Sequence, residues 1–323
     1  MAHEMISSLL DRRVLVTGAH GFIGKHVTKA LTKAGYLHLV MPTHADYDLS
    51  DQNAVRALFS DVRPDVVIHL AGLVGGILAN KQRPAEFFYD NIMMGTMVLH
   101  EAWVYGVSKY LTCIGGCSYP ATAPSPIQEN SLWNGYPQQE SAAYALAKAM
   151  SVEQAQAYRR QHGFNAVVLV PGNVYGPHDN FDLNNSHVIP ALIRKYYEAK
   201  LEGKSEVVIW GSGRPIRDFV YVEDVAAAIV RALEHYDSDD IVNISSGTGT
   251  SIRELAAMIS ELLGYKGSVV WDWTKPDGQL DKTFDVTRMK TLFGFECTTS
   301  LRDGLNRTIQ WFAKHYGTNE IRL

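Results

Sequence analysis

Three glycines spaced three residues apart follow a short apolar run near the start of the chain. The run, Arg13–Thr17, predicts a buried strand, and residues 21–34 have the apolar periodicity of a helix. Gly18 permits the tight turn, Gly21 lets the backbone approach a pyrophosphate, and Gly24 allows the helix to pack closely on the strand. Because N–H groups at a helix N-terminus attract anions, the pattern predicts a dinucleotide-binding loop. A glycine-rich turn without a ligand is the alternative.

Strands and helices alternate through the first half of the chain. Further strands are predicted at 37–41, 65–70, 109–114 and 166–170, and helices at 51–59, 84–105 and 143–162. This alternation predicts an α/β fold with a Rossmann-type, doubly wound parallel sheet.

The rhythm loosens after Pro177. Helices are predicted at 187–201, 223–235, 251–263 and 301–315, and strands at 207–210, 218–222, 241–244 and 268–271. We expect a smaller α+β lobe over the carboxyl edge of the sheet. The predicted division is a dinucleotide-binding domain of residues 1–178 and 217–243, and a second lobe of residues 179–216 and 244–323.

Tyr144 and Lys148 are four residues apart in a predicted helix, which puts both side chains on one face. An ammonium beside a phenol favours the phenolate, so we expect Lys148 to lower the pKa of Tyr144. A phenol adjusted in this way can protonate a ketone oxygen or deprotonate an alcohol. The alternative, a solvated surface pair, is the more common meaning of this spacing when it stands alone.

Composition excludes several classes of protein. The chain of 323 residues has a formal net charge of -4 and no basic run, which disfavours nucleic acid or an anionic membrane as the main partner. Its cysteines, Cys113, Cys117 and Cys297, are too few and too scattered for a disulfide framework, and no metal-ligand spacing occurs. The N-terminus does not resemble a signal peptide, and no segment approaches the length of a membrane span. We expect a cytoplasmic protein without a metal.

The choice between NAD and NADP depends on the residues after the second strand. An acidic residue there binds the ribose hydroxyls of NAD, and an arginine holds the 2′-phosphate of NADP. Neither occupies the usual place in the run from Met41 to Asp46. Thr43, His44 and His20 can surround a 2′-phosphate or be loop residues with no role, so NADP is favoured and NAD stays open.

Longer motifs give a family resemblance that covers essentially the whole chain. They are His69-Leu-Ala-Gly-Leu-Val-Gly-Gly76, Cys117-Ser-Tyr-Pro120, residues 173–181, residues 186–194, residues 210–219 and Lys275-Pro-Asp-Gly278. With the glycine loop and the Tyr-x-x-x-Lys pair, they resemble the extended short-chain dehydrogenase/reductase family, and within its nucleotide-sugar branch the GDP-L-fucose synthase family.

The resemblance implies an activity. Members of that family epimerise C3 and C5 of GDP-4-keto-6-deoxy-D-mannose and then reduce C4 with NADPH. A ketone at C4 acidifies both neighbouring carbons, and inverting a carbon needs proton carriers on both faces of the sugar. By resemblance, Cys117 and His187 are that pair, Tyr144 protonates the C4 oxygen, and Lys148 assists Tyr144 and holds the nicotinamide ribose. A small buried cysteine and a helix-start histidine are the alternatives.

The resemblance also implies binding residues and an assembly. The cofactor contacts are Gly18, His20, Gly21, Phe22, Ile23, Gly24, Leu70, Ala71, Gly72, Tyr144, Lys148, Pro171, Asn173 and Val174. The substrate contacts are Lys195, Trp210, Arg217 and Asp277. Arg217 matches the arginine that grips the substrate diphosphate, with a surface charge paired with Asp218 or Glu223 as its alternative. The helices at 84–105 and 143–162 resemble the family's dimer interface, which implies a homodimer.

One position departs from the family pattern. The family has serine or threonine two residues before the cysteine, and this chain has Gly115. Losing an aligned donor to a developing oxyanion costs about a hundredfold in rate. Three interpretations are open: Ser118 or a water replaces the donor, glycine makes room for a bulkier sugar, or reduction is impaired. We favour the first two, since the Tyr144 and Lys148 motif is intact.

Two rival functions have different signatures. A nucleotide-sugar isomerase or dehydrogenase would retain NAD through purification. A sensor that only binds dinucleotide would need Tyr144, Lys148, Cys117 and His187 all to be coincidental.

Overall fold

A parallel sheet of six strands is the central layer of the structure, a computed structural model that describes residues 10–275, 277–321 and 323. The strands are β1 (Arg13–Thr17), β2 (His38–Val40), β3 (Val66–His69), β4 (Lys109–Cys113), β5 (Ala166–Pro171), β6 (Asn173–Tyr175), β7 (Glu206–Trp210), β8 (Ile216–Tyr221), β9 (Val242–Ile244), β10 (Gly249–Ser251), β11 (Ser268–Asp272) and β12 (Asp281–Lys282). The helices are α1 (Phe22–Ala34), α2 (Gln52–Val62), α3 (Ile77–Gln82), α4 (Pro84–Val104), α5 (Ala142–His162), α6 (Val188–Leu201), α7 (Val222–His235), α8 (Ile252–Leu263), α9 (Thr287–Phe293) and α10 (Leu301–His315).

The order of the strands fixes where a ligand binds. The sheet runs β2-β1-β3-β4-β5-β9, and every pair in it is parallel. The two neighbours of β1 both follow it in the chain, so the connection from β2 to β3 crosses over β1. Such a reversal opens a crevice at the carboxyl ends of the strands, where doubly wound folds bind their ligands.

Helices cover both faces of this sheet. Apolar side chains of α1 and α7 pack on one face in a single buried cluster, and those of α2, α4 and α5 pack on the other. Strand β3 is buried along its whole length, as expected of a strand covered on both sides. The predicted α/β class with a doubly wound parallel sheet is confirmed.

The second lobe is organised around β8. Strand β10 pairs antiparallel with β8, whereas β12 and β6 pair parallel with it, and β7 pairs parallel with β11. Helices α6, α8 and α10 share a third apolar cluster with these strands. Asp218, fully buried in β8, accepts hydrogen bonds from Ser246 (N, 3.1 Å; Oγ, 2.6 Å), from Gly247 N at 3.0 Å and from Phe284 N at 3.3 Å. This carboxylate therefore ties β8 to the end of the central sheet and to the segment after β12.

The long predicted elements are found within a few residues of their expected bounds, and short ones were missed. Sequence analysis did not identify α3, β6, β10, β12 or α9. Strand β12 has two residues, and its pairing with β8 is long-range, so no local periodicity indicates it. The proposed division into domains remains a prediction. Among the described residues, no helix is both long enough and apolar enough to cross a membrane.

Candidate active site

The glycine loop lies where β1 and β3 end side by side. Gly18 has φ 71°, and a Cβ there would lie 2.6 Å from the backbone nitrogen of Ala71. A Cβ at Gly24 would collide with the Gly18 carbonyl oxygen. Gly21 precedes α1 with extended backbone and no side-chain cap, which leaves the first N–H groups of the helix available to an anion. These close approaches are met only by glycine, as the dinucleotide-loop prediction requires.

The segment after β3 connects this loop to Lys148. The Leu70 N–H donates to the Thr17 carbonyl oxygen at 3.1 Å. A Cβ at Gly72 would lie 3.8 Å from Lys148 Nζ and 2.9 Å from Asn91 Oδ1. Leu70, Ala71 and Gly72 therefore form one edge of a crevice whose floor holds the Lys148 ammonium.

The other predicted cofactor residues lie in different surroundings, and two of them pack on the core. His20 Nε2 lies 3.0 Å from the Met41 carbonyl oxygen, the Phe22 ring meets His26 edge-on at 6.2 Å, and Ile23 packs on the core. Pro171 ends β5. The Asn173 amide donates to the Asp218 carbonyl oxygen at 2.8 Å, and Val174 packs on the core.

A cavity of about 490 Å³ lies beyond β2, where an adenosine is expected. Its lining residues are Val40, Met41, Pro42, Asp46, Tyr47 and Val62. The Asp46 carboxylate accepts from both Thr43 N and Thr43 Oγ1 at 2.7 Å, and these hydrogen bonds hold the pKa of Asp46 below its usual value. Thr43 is thus committed to its own turn, and the side chain of His44 is 84% exposed.

Tyr144 and Gly115 face each other across the crevice. A Cβ on Gly115 would lie 3.8 Å from the Tyr144 phenol oxygen and 3.0 Å from Cys117 Sγ. Gly115 therefore occupies the place that the family pattern gives to the serine or threonine, between the phenol and the thiol.

The predicted lowering of the pKa of Tyr144 is wrong. Burial raises the pKa of this phenol well above 10, and the neighbouring thiols Cys117 and Cys113 act in the same direction. Lys148 is itself buried, and burial lowers the pKa of its ammonium. Burial is the largest cause of both pKa shifts, and the thiols of Cys113 and Cys117 are the other groups that act on each.

Cys117 lies in a short 3₁₀ turn, Gly116–Ser118, directly after β4. Burial raises the pKa of its thiol, and the ammonium groups of Lys282 and Lys148 oppose that shift. The Ser118 hydroxyl donates to the Ala145 carbonyl oxygen at 3.1 Å. Ser118 is therefore directed into the protein, which removes it as the donor that would replace the missing serine.

His187 comes at the N-terminus of α6, after a loop that packs against Gly76. The Gly76 N–H donates to the Asn185 carbonyl oxygen at 3.0 Å, and a Cβ on Gly76 would lie 2.9 Å from the Ser186 carbonyl oxygen. His187 keeps solvent-accessible surface, yet the surrounding protein lowers the pKa of its imidazole. The imidazole is therefore accessible to a ligand and favoured in its neutral form.

The neighbouring glycine links this loop to the phenol. A Cβ on Gly75 would lie 3.1 Å from the Phe87 ring, and that ring meets Tyr144 edge-on at 6.2 Å.

Trp210 forms the outer part of the lobe's wall. Its indole is 55% exposed, and the ammonium groups of Lys195 and Lys275 lie 5.5 and 5.3 Å from its centroid. Lys195 Nζ also donates to the Val208 carbonyl oxygen at 3.0 Å. An exposed aromatic ring bordered by cations is suited to stacking a nucleobase that carries phosphates.

Arg217 is mostly buried, and its Nη1 donates to the carbonyl oxygens of Ile216 (2.8 Å) and Gln279 (2.7 Å). Neither suggested ion pair forms, because Asp218 accepts the hydrogen bonds described above and Glu223 lies 3.7 Å from Arg307. The carboxylates whose charges act on the guanidinium are instead Asp281 and Asp277, and they partly offset the lowering of its pKa by burial.

Asp277 closes the loop beside Arg217. Its carboxylate accepts from Ser212 N and Ser212 Oγ, both at 2.6 Å, and these bonds lower the pKa of Asp277.

Sequence analysis missed Lys282. Strand pairing puts it opposite Arg217, and its ammonium and the Cys117 thiol each affect the pKa of the other. The one available signal was its place four residues after the motif Lys275-Pro-Asp-Gly278. In the described part of the chain, no group of three or more His, Cys, Asp or Glu side chains has the arrangement of a metal site.

A doubly wound sheet with a glycine loop and a Tyr–Lys pair in its crevice defines a nicotinamide-dependent enzyme of the short-chain dehydrogenase/reductase type. The chain belongs to the NAD dependent epimerase/dehydratase family, which it matches over residues 14–245. It is 42% identical to GDP-L-fucose synthase 1 of Arabidopsis thaliana over 312 residues, 96% of each chain.

Solved structures give the same likeness. A GDP-L-fucose synthetase from Naegleria fowleri bound to NADP matches with a TM-score of 0.87 and 31% identity, over 97% of both chains. A GDP-6-OMe-4-keto-L-xylo-heptose reductase from C. jejuni matches with a TM-score of 0.90 and 28% identity, over 95% of this chain and 99% of the other.

Proposed function

We propose that this protein converts a GDP-4-keto-6-deoxy-hexose to GDP-L-fucose or a similar GDP-sugar, by epimerising C3 and C5 and reducing C4 with NADPH. The observation that carries the proposal is the full-length likeness to GDP-L-fucose synthase 1, together with a phenol and a thiol that flank one small space at Gly115.

The residues of the crevice fit a nicotinamide dinucleotide. Gly18 and Gly24 allow the tight turn and the close packing of α1 on the glycine loop, and α1 directs free N–H groups at the place of a pyrophosphate. When bound, the cofactor supplies the hydride for C4. NADP is proposed because the Naegleria relative was solved with it. Lys148 is assigned to the nicotinamide ribose, since its ammonium lies beside Gly72.

Epimerisation is assigned to Cys117 and His187. The C4 ketone acidifies the hydrogens at C3 and C5, and each inversion needs a base on one face of the sugar and an acid on the other. Cys117 belongs to the β4 wall and His187 to the first helix of the lobe, so the two come from opposite walls of the cleft. A thiol and a neutral imidazole, as their pKa shifts indicate, are an acid and a base already in the required forms.

Reduction is assigned to Tyr144. Its raised pKa keeps the phenol protonated, so it donates its proton to the oxygen that develops on C4. Arg217 is assigned to the diphosphate and Trp210 to the base, and Lys195 and Asp277 complete that end of the cleft.

Gly115 favours a second candidate, reduction of a GDP-4-keto sugar with a larger substituent. The missing side chain leaves space between Cys117 and Tyr144, and one structural relative is a GDP-heptose reductase. Because the Ser118 hydroxyl is hydrogen-bonded to the Ala145 carbonyl oxygen, we favour the interpretation that glycine makes room for a bulkier sugar. This interpretation agrees with the intact Tyr144 and Lys148 motif.

A direct assay tests both candidates. Purified protein is mixed with NADPH and either GDP-4-keto-6-deoxymannose or a GDP-4-keto-heptose, in D₂O, and both the absorbance at 340 nm and deuterium at C3 and C5 are followed. The main proposal expects loss of absorbance and deuterium at both carbons with the hexose. Reduction of the heptose alone would support the second candidate, and no change with either sugar would reject both.

We further propose a cytoplasmic homodimer that pairs through α4 and α5. Both helices present large apolar side chains to solvent: Phe88, Tyr89, Val104 and Met150. The three cysteines are free, in keeping with a reducing compartment. Light scattering after gel filtration tests the dimer, and Tyr89→Glu should convert it to monomer.

A further inference from the structure

Lys282 projects from β12 on a defined side. The strand pairs parallel with β8, which puts Lys282 opposite Arg217. The chain stays extended beyond it, because two hydrogen bonds join it to Ile127. The Ile127 N–H donates to the Thr283 carbonyl oxygen at 2.8 Å, and the Asp285 N–H donates to the Ile127 carbonyl oxygen at 2.9 Å. Side chains alternate along an extended chain, so Lys282 and Phe284 lie on the same side.

Phe284 identifies what that side faces. A Cβ on Gly116 would lie 2.5 Å from the Phe284 ring, so the ring rests on the backbone just before Cys117. Lys282, two residues earlier on the same side, is thereby directed at the thiol. The two charged or ionisable groups that act on its ammonium are Cys117 and Arg217.

Several groups share the environment of Cys117. Lys282 approaches it from β12, and Lys148 and Tyr144 approach it from α5. Lys148 also acts on Cys113, at the end of β4, where its charge opposes the rise that burial causes in the pKa of that thiol. Lys282 has the larger effect on Cys117, and burial opposes both lysines by raising the pKa of the thiol.

A buried thiol that moves protons needs such a cation. When a Cys117 thiolate takes a proton from a carbon beside the ketone, an S–H bond forms, the C–H bond breaks, and its electron pair passes into the enolate. When the thiol donates, the S–H bond breaks and the thiolate remains. In either direction the sulfur carries a negative charge in one half of the cycle, which a desolvated site disfavours without a nearby positive charge.

We propose that Lys282 is a positioning residue whose charge stabilises the thiolate form of Cys117. Lys282 thus affects the proton transfers only through Cys117. Its part in the proton transfers rests on the proposed function, but its effect on the thiol does not.

Alkylation of Cys117 tests the effect without any substrate. The rate of carbamidomethylation by iodoacetamide is followed between pH 6 and 10, with Cys117 separated from Cys113 and Cys297 by peptide mass spectrometry. In Lys282→Gln, the midpoint of the rate profile should move up by about one pH unit, and the rate at pH 7.5 should fall by about tenfold. Lys282→Arg, which keeps the charge, should stay close to the wild type.

Lys290→Gln is the matched control, because this exposed lysine lies on α9, outside the cleft, and pairs with Glu296. It should leave the profile unchanged. If Lys282→Gln does not fold, Lys282→Met keeps the length of the chain without its charge and is measured in its place. A midpoint in the uncharged variant equal to that of the wild type would overturn the proposal.

Deuterium exchange into the substrate distinguishes this role from a role in binding the substrate diphosphate. In Lys282→Gln, kcat for deuterium uptake at C3 and C5 should fall by about tenfold. The pH profile of the uptake should move with the alkylation midpoint. A higher KM with unchanged kcat and profile would instead assign Lys282 to substrate binding and overturn the proposal. A shifted alkylation midpoint in a protein that exchanges no deuterium would sustain the role of Lys282 and reject the proposed function.

Discussion

The two walls of the cleft are built in different ways. The sheet wall takes Gly115, Cys117, Tyr144 and Lys148 from one strand end and the helix after it, within a span of 34 residues. The lobe wall takes His187, Trp210, Arg217, Asp277 and Lys282 from segments that are far apart in the chain. The sheet wall is thus positioned by local structure, whereas the lobe wall depends on long-range ties such as Asp218. Substitutions in the sheet wall should therefore mainly change reaction rates, whereas substitutions in the ties of the lobe wall should mainly change folding stability or the position of a loop.

The largest expected effect is on the sheet wall. Tyr144→Phe removes the proton donor to C4 and keeps the ring that meets Phe87, so reduction should slow by about 10³-fold. NADPH consumption at 340 nm measures it, with NADPH affinity as the control. A loss of less than about tenfold would mean that another group protonates C4.

The next effect is on the ties of the lobe wall. Asp218→Ala leaves the N–H groups of Ser246, Gly247 and Phe284 without their buried acceptor, and should cost about 3 kcal/mol of folding free energy. Urea unfolding measures it. Asp239→Ala, at an exposed site, is the control and should cost less than about 0.5 kcal/mol. Equal midpoints for the two variants would refute the role given to Asp218.

Gly76→Ala tests how one wall positions the other. The new Cβ would press on the Ser186 carbonyl oxygen and move the loop that ends at His187, so deuterium exchange should slow by about 30-fold. NADPH binding should be unchanged, since the glycine loop is not involved. Normal exchange in this variant would show that the loop has room to adjust.

Gly115→Ser tests the space between the phenol and the thiol. The backbone there, at φ -86°, accepts any residue, but the Cβ would lie 3.0 Å from Cys117 Sγ. The ratio of kcat/KM for a 6-deoxyhexose to that for a heptose should rise by about tenfold. An unchanged ratio would remove Gly115 as a determinant of specificity.

The smallest effect concerns acid stability where α1 meets α10. His178 has φ 67° and packs 4.6 Å from Trp311, and burial lowers its pKa to about 4. The charged or ionisable groups around it are Lys25, His26, His315 and Glu320. An unfolded histidine titrates near 6.5, so this contribution to stability is complete above that pH and is lost as the pH falls toward 4.

His178→Asn removes the titrating group and tolerates the left-handed backbone. The fall in Tm between pH 7.5 and 5 should be smaller by about 2 °C in this variant, measured by scanning calorimetry. An identical fall in both proteins would assign the acid sensitivity to other groups.

The contrast between the walls also explains what the sequence could predict. The glycine loop, the alternating strands and the Tyr–Lys pair depend on local spacing, and the structure has them where they were expected. Trp210 and Arg217 were identified by resemblance alone, because nothing near them in the chain indicates that they share a cleft. Lys282 was missed because its role comes from the pairing of β12 with β8.

Burial was the second limit of sequence reasoning. The spacing of Tyr144 and Lys148 suggested attraction between their charges, but it does not reveal that both groups are desolvated, and desolvation determines the direction of both pKa shifts. Ser118 was a plausible donor from its position in the chain, and its hydrogen bond to Ala145 depends on how the 3₁₀ turn packs on α5.

The central claim is that proton exchange at C3 and C5 and reduction at C4 are separable steps on one sugar, carried out by different side chains. Tyr144→Phe in D₂O, with GDP-4-keto-6-deoxymannose and NADPH, tests it most directly by NMR. We predict deuterium at C3 and C5 at close to the wild-type rate, with almost no oxidation of NADPH. Failure of deuterium to enter either carbon in this variant, when the wild type exchanges both, would contradict the claim.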